Sequence, residues 1–200
     1  MATLEGKDKN GVTVQIGTTR GRLHTDNRVP ELVANEAGLA YVARTPTAGV
    51  DPTAAGDYIF YLENKPSSGV MLHISRVHCS SVTVDDTLIF DWALATDNIL
   101  ATPTTGTMVG MNALALPGIT YTKFETDPDL LLLDGSGNIV GYQPLEASNG
   151  LLDTVHVFPE HVIIPPGYAF RVQSVIGGSV LHIAANVHCV HTTQHASGLG

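Results

Sequence analysis

Charged residues are scarce in this 200-residue chain, at 14% of positions, against roughly 25% in an average soluble domain. Disordered chains have the opposite composition, low hydrophobicity with high charge, so global disorder is excluded. Cysteine is nearly absent. Cys79 and Cys189 are the only two, which excludes a disulfide-rich scaffold. They are expected as buried thiols, with one bridge open if their strands are neighbours. No apolar run approaches the ~18 residues of a membrane helix; the longest tight cluster is Leu130–Leu133. Met1–Asn10 has no apolar h-region and is not expected to be a Sec signal. The chain also lacks G-x-S-x-G, a P-loop, G-x-G-x-x-G, H-E-x-x-H and C-x-x-C. With no local nucleophile, phosphate cradle or zinc helix, no catalytic residues and no cofactor are expected.

The chain is rich in turn and strand formers. Twenty Gly, eleven Pro and twenty-one Thr favour strands and turns over helices, and 44% apolar residues suffice for a core. Net charge is −9 and unevenly spread. Residues 1–44 hold six cations (Lys7, Lys9, Arg20, Arg22, Arg28, Arg44) and five acids, so +1; the remaining four cations and fourteen acids leave −10 for residues 45–200. An acidic body argues against nucleic acid as a partner.

Residues 1–56 show no sustained period. Gly11–Ile16 fits a short strand, Glu31–Glu36 a weak helix stopped by Gly38, and the Pro/Thr/Ala/Gly-rich Thr45–Gly56 an extended linker. This segment is expected to be an N-terminal arm, ordered by lying on another chain. From Asp57 the pattern changes. Strands are expected at Tyr58–Leu62, Val70–Cys79, Thr87–Leu94, Thr107–Leu116, Thr120–Phe124, Leu130–Leu133, Ile139–Tyr142, Thr154–Phe158, His161–Ile164, Tyr168–Ile176 and Val180–Val190, separated by turn residues. That is an all-β antiparallel sandwich over residues 57–200. Gly177–Gly178 reads as the turn of a tight C-terminal hairpin. Leu72–Cys79 echoes Leu181–Cys189. Strands of one sandwich can share composition by chance. If the echo is structural, the two strands pair as jelly-roll strands do, with a β-bulge near Ser75–Arg76 restoring the phase of Val77 and Cys79 and the cysteines at opposite ends of the pair.

Nine histidines raise the question of metal. On a strand, same-face neighbours are two residues apart, so His73 and His78 face opposite ways without a bulge, and His182 and His188 stand ~20 Å apart. A site would need His73 or His78 beside His182 or His188 across strands. There is no H-x-H, and solvated or hydrogen-bonded sheet histidines are expected, with His156, His161, His191 and His195 scattered on the surface. Asp134–Asn138 lacks the EF-hand spacing and reads as a hairpin turn. Trp92, the sole tryptophan, lies in the apolar run Leu88–Trp92 and is expected in the core; an exposed ring would instead suit sugar stacking.

The segments Glu5–Val14 and Arg20-Gly21-Arg22-Leu23 resemble the starts of tailed-phage virion proteins, where a short polar arm precedes a β-sandwich. The body, through Tyr58–Leu62, Asp134–Asn138 and Val162–Tyr168, resembles small jelly-roll decoration or cement proteins of phage capsids. The resemblance implies a non-catalytic structural protein on the capsid exterior, frequently trimeric, whose partner is the major capsid protein or another virion protein. Lys7, Lys9, Arg20, Arg22 and Arg28 are the candidate partner-binding residues of the arm, and the slight basic balance there suits acidic capsid surfaces. No metal, nucleic acid or membrane is expected. The alternative is a carbohydrate- or receptor-binding sandwich of a tail or host-attachment apparatus.

Overall fold

A computed structural model describes residues 4–7, 13–16, 18–19, 22–23, 30–95, 104–112, 122–130, 137–148 and 153–191. Two small ladders come first, β1 (Leu4–Lys7) with β2 (Thr13–Ile16) and β3 (Thr18–Thr19) with β4 (Arg22–Leu23). A short helix, α1 (Pro30–Glu36), follows. Pro30 fits its first turn, and Gly38, at φ 72°, ends it as the Leu39 amide donates to the Ala34 carbonyl. The body strands are β5 (Ala40–Arg44), β6 (Tyr58–Asn64), β7 (Val70–Ser81), β8 (Asp86–Leu94), β9 (Thr104–Thr105), β10 (Thr107–Gly110), β11 (Thr122–Leu130), β12 (Asn138–Leu145), β13 (Thr154–Ile164), β14 (Tyr168–Ser174) and β15 (Leu181–His191).

These strands make two antiparallel sheets, ordered β10-β5-β15-β7-β13 and β12-β8-β14-β6-β11-β9. The connectivity is that of one long hairpin rolled up. β8 pairs with β12, β7 with β13, β6 with β14 and β5 with β15; rolling then sets β15 against β7 and β14 against β8. Eight strands nested this way are a jelly roll. The remaining strands extend the two sheets at the β5 and β6 side.

Alternation drives the burial. Leu181, Ile183, Ala185, Val187 and Cys189 of β15 point inward, as do Phe170 and Val172 of β14. All five phenylalanines of the chain meet in the core. Phe124 lies 4.6 Å from Phe60, Phe60 6.3 Å from Phe170, Phe170 6.1 Å from Phe90 and Phe90 5.7 Å from Phe158. Such tilted, edge-on and stacked pairs add to the apolar burial of each ring. The echoed strands β7 and β15 do pair. Asn186 stands opposite Arg76 and Val187 opposite Ile74, so Ser75 is the extra residue of a bulge. The bulge lets Leu72, Ile74, Val77 and Cys79 all face the core. Cys79 is opposite Ile183 and Cys189 opposite Leu72, and both thiols are free and buried.

Several expectations change. Residues 40–50, read from the sequence as the end of the arm, lie in the sandwich. β5 runs between β10 and β15 with Tyr41 fully buried, and Val50 bridges Leu181. Gly177–Gly178 is not a hairpin turn, because β14 and β15 belong to different sheets. Both glycines have φ above 70°, and this left-handed pair carries the chain from one sheet to the other. β11 and β12 are separated by three strands, so the segment around Asp134–Asn138 does not close a hairpin; Asp134–Ser136 lie outside the described residues, as do Leu131–Leu133. Thr154–Phe158 and His161–Ile164 are one strand. Its register on β7 slips between Val157, opposite Arg76, and Val162, opposite Ile74.

Candidate functional site: an apolar edge and a histidine cluster

The two sheets end side by side in β12 and β13. A terminal strand leaves backbone donors and acceptors for another chain, and sequences usually guard it with charge. Here Pro144, Pro159 and Glu160 interrupt the two edge strands, and apolar side chains flank the rest of the edge. Ile139 and Tyr142 of β12 and Val155, Val157 and Ile163 of β13 are exposed. The two strands touch through His156, whose Nδ1 lies 3.2 Å from Gln143 Oε1. Its ring also packs 4.6 Å from Phe158 and 4.9 Å from Phe90. Burial among these groups lowers the His156 pKa from its ordinary value, so the neutral imidazole is favoured there.

The register slip in β13 opens a cleft of about 550 Å³ at this edge, lined by Trp92, Val140, Phe158, Pro159, Glu160 and His161 among others. Trp92 packs partly on the core, 5.7 Å from Tyr168. The expected core tryptophan is therefore half-buried, with one side on this cleft.

The outer face of the five-stranded sheet carries the histidines. Ala40, His188, His73 and Ile163 stand in one row across β5, β15, β7 and β13. The cross-strand condition set by spacing is thus met by His73 and His188, with ring centroids 4.9 Å apart. His161 completes the group, 6.2 Å from His73 and 5.2 Å from His188. One ring nitrogen of each lies within 4.8 Å of the others. His188 occupies an outward position yet is only 2% exposed. It borders a pocket of about 200 Å³ shared with Leu32 and Asn35 of α1. His161 has φ 50° and is the one non-glycine residue at positive φ among the described residues, a conformation that costs a residue with a Cβ. Lower on the same face, His78 Nδ1 lies 2.7 Å from Asp153 Oδ2, in a shallow groove that also holds His182 and Arg44.

Of the candidate arm residues, Lys7 ends β1 and Arg22 begins β4, while Lys9, Arg20 and Arg28 lie outside the described residues. Sequence spacing missed His161 because nothing in it gives the length of a strand irregularity. It also missed the burial of Arg171, whose Nε donates to Asp91 Oδ1 at 2.6 Å with both side chains buried. No helix among the described residues is long and apolar enough to cross a membrane. The chain matches no protein-family model, no curated protein and no solved structure.

Proposed function

We propose that the chain is a structural virion protein of a tailed phage, a jelly-roll module that decorates and cements the capsid exterior. It would hold capsid subunits through its N-terminal segment and the β12/β13 edge, as a trimer, without catalysis. The observation that carries this reading is the edge itself: two terminal strands with exposed apolar side chains on either side, Ile139 and Tyr142 on the six-stranded sheet and Val155, Val157 and Ile163 on the five-stranded one. Such a surface suits burial against a partner. The −10 charge of residues 45–200 suits a protein partner better than nucleic acid. The virion assignment rests on the resemblance of the N-terminal segments.

The test is cosedimentation with empty capsids of the source phage, alongside the solution mass. The full chain is expected to bind and to have a trimer's mass. Tyr142→Lys and Val157→Lys place an ammonium in the contact, and each is expected to weaken capsid binding at least ~10-fold, equivalent to ~1.4 kcal/mol. Unchanged binding by both variants overturns the role of the edge.

A second reading, carbohydrate binding, is favoured by one feature: the half-buried Trp92 beside Glu160 in the edge cleft. It predicts glycan-array signals that Trp92→Ala abolishes.

A further inference from the structure

We propose that His73, His161 and His188 form a binding site for a divalent transition-metal ion of the class imidazole prefers, Zn²⁺ first. Three features converge on it. His73 and His188 are directly opposed on paired strands, so the ladder fixes their spacing. His161 arrives from a third chain segment, the slipped part of β13, at φ 50°. Strained backbone of this kind persists where the surrounding structure enforces it, and it clusters at functional sites. Finally, one nitrogen from each ring falls within 4.8 Å of the other two.

Zinc takes imidazole nitrogens at ~2.0–2.1 Å in a tetrahedral array, which puts ligand atoms ~3.4 Å apart. Closing from 4.8 Å needs small side-chain rotations and leaves the β-ladder in place. Three neutral imidazoles bind without charge compensation from a carboxylate and leave a fourth position for water or an added ligand. An ion there would join β7, β15 and the segment of β13 over which the register on β7 slips, between Val157 and Val162. It would thereby brace the wall of the edge cleft that His161 shares. The site does not depend on the capsid reading.

The experiment uses the full chain, stripped with chelator and titrated with ZnCl₂ by calorimetry at pH 7.5. One zinc per chain is expected, with a rise in Tm that grows with free zinc. In His161→Gly, the glycine accepts the positive φ and removes one ligand. Its zinc affinity is expected to fall at least ~100-fold, beyond the loss caused by removing an outer-shell partner. The histidines at 24, 191 and 195 remain in that variant, so adventitious binding there would survive. X-ray absorption at the zinc edge of the wild-type chain supplies a reading independent of variant folding, and a shell with three imidazoles is expected. A chain that takes up no zinc, a His161→Gly chain that binds as tightly, or a shell with fewer than two imidazoles overturns the proposal.

Discussion

Arg171 and Asp91 carry the largest electrostatic stake of any single pair among the described residues. Both are buried on the outer side of the six-stranded sheet, where Arg171 Nη2 also donates to Asp91 Oδ2 at 3.0 Å and the Tyr58 hydroxyl donates to the same oxygen at 2.8 Å. The guanidinium lies 4.8 Å from the Tyr58 ring centroid. Gly137 closes the site: a Cβ there would sit 2.3 Å from Arg171 Nη2, so a glycine is required for packing. Removing one charge strands the other in a water-poor site. Asp91→Ala is expected to cost ~3–5 kcal/mol, whereas Asp91→Ala with Arg171→Met is expected to cost less than the sum of the single changes. Urea denaturation of the three variants checks this. The sequence places Arg171 correctly on the face opposite Phe170 and Val172, but alternation alone reads that face as solvent. The segment that covers it is distant in the chain, so no local pattern reports the burial. The cysteines were more legible. Burial pushes the Cys189 thiol up to about 12 and raises Cys79 further, with the Asp153 charge adding to the latter. Both behave as small apolar residues of their strands.

Among elements, those whose partners obey a local period were readable. β7 and β15 show both the alternation and the repeated composition of paired strands, and even the Ser75 bulge follows from the phase of Leu72, Ile74, Val77 and Cys79. β5 was not readable. Its five residues, Ala40–Arg44, include three small or charged ones, and it follows a helix and precedes a Pro/Gly-rich stretch that imitates a linker. Its burial comes from β15 and β10, one of them 140 residues away in sequence. Gly177–Gly178 is ambiguous in the sequence for a related reason. Two glycines at positive φ serve a tight hairpin and a crossover between sheets equally well, and the choice is set by which strands already flank β14 and β15. The histidine cluster joins both cases. His73 and His188 belong to the readable pair, but a same-direction echo cannot give an antiparallel register. His161 enters through an irregularity that has no signature in the sequence.

At the scale of the molecule, the boundary between arm and sandwich decides which truncation is informative. Every nested pair of the jelly roll needs both of its strands, and β5 is the partner of the last one. Cutting after residue 56 removes β5 and α1, exposes the hydrogen-bonding edge of β15 that β5 pairs with, and deletes the Val50–Leu181 bridge and the Thr45 Oγ1 contact with the Ile183 amide. Tyr41 and Val50 are buried, and each large apolar side chain contributes ~1.5–3 kcal/mol. With the lost ladder, that is comparable to the ~5–15 kcal/mol that holds a whole domain. The fragment 57–200 is therefore expected to lose its cooperative thermal transition and to aggregate through the uncovered side of β15. The fragment 30–200 keeps α1, β5 and all eight jelly-roll strands, and its Tm is expected to stay within a few degrees of the full chain's, since among the described residues β1 pairs with β2 and β3 with β4, outside the two sheets of the sandwich. Circular-dichroism melts of both fragments check the boundary. A cooperative melt from 57–200 would mean that β5 is dispensable. With the boundary at residue 30, the capsid reading gains a clean probe: a folded 30–200 chain separates the N-terminal segment's share of capsid binding from that of the β12/β13 edge, which a collapsed 57–200 fragment cannot do.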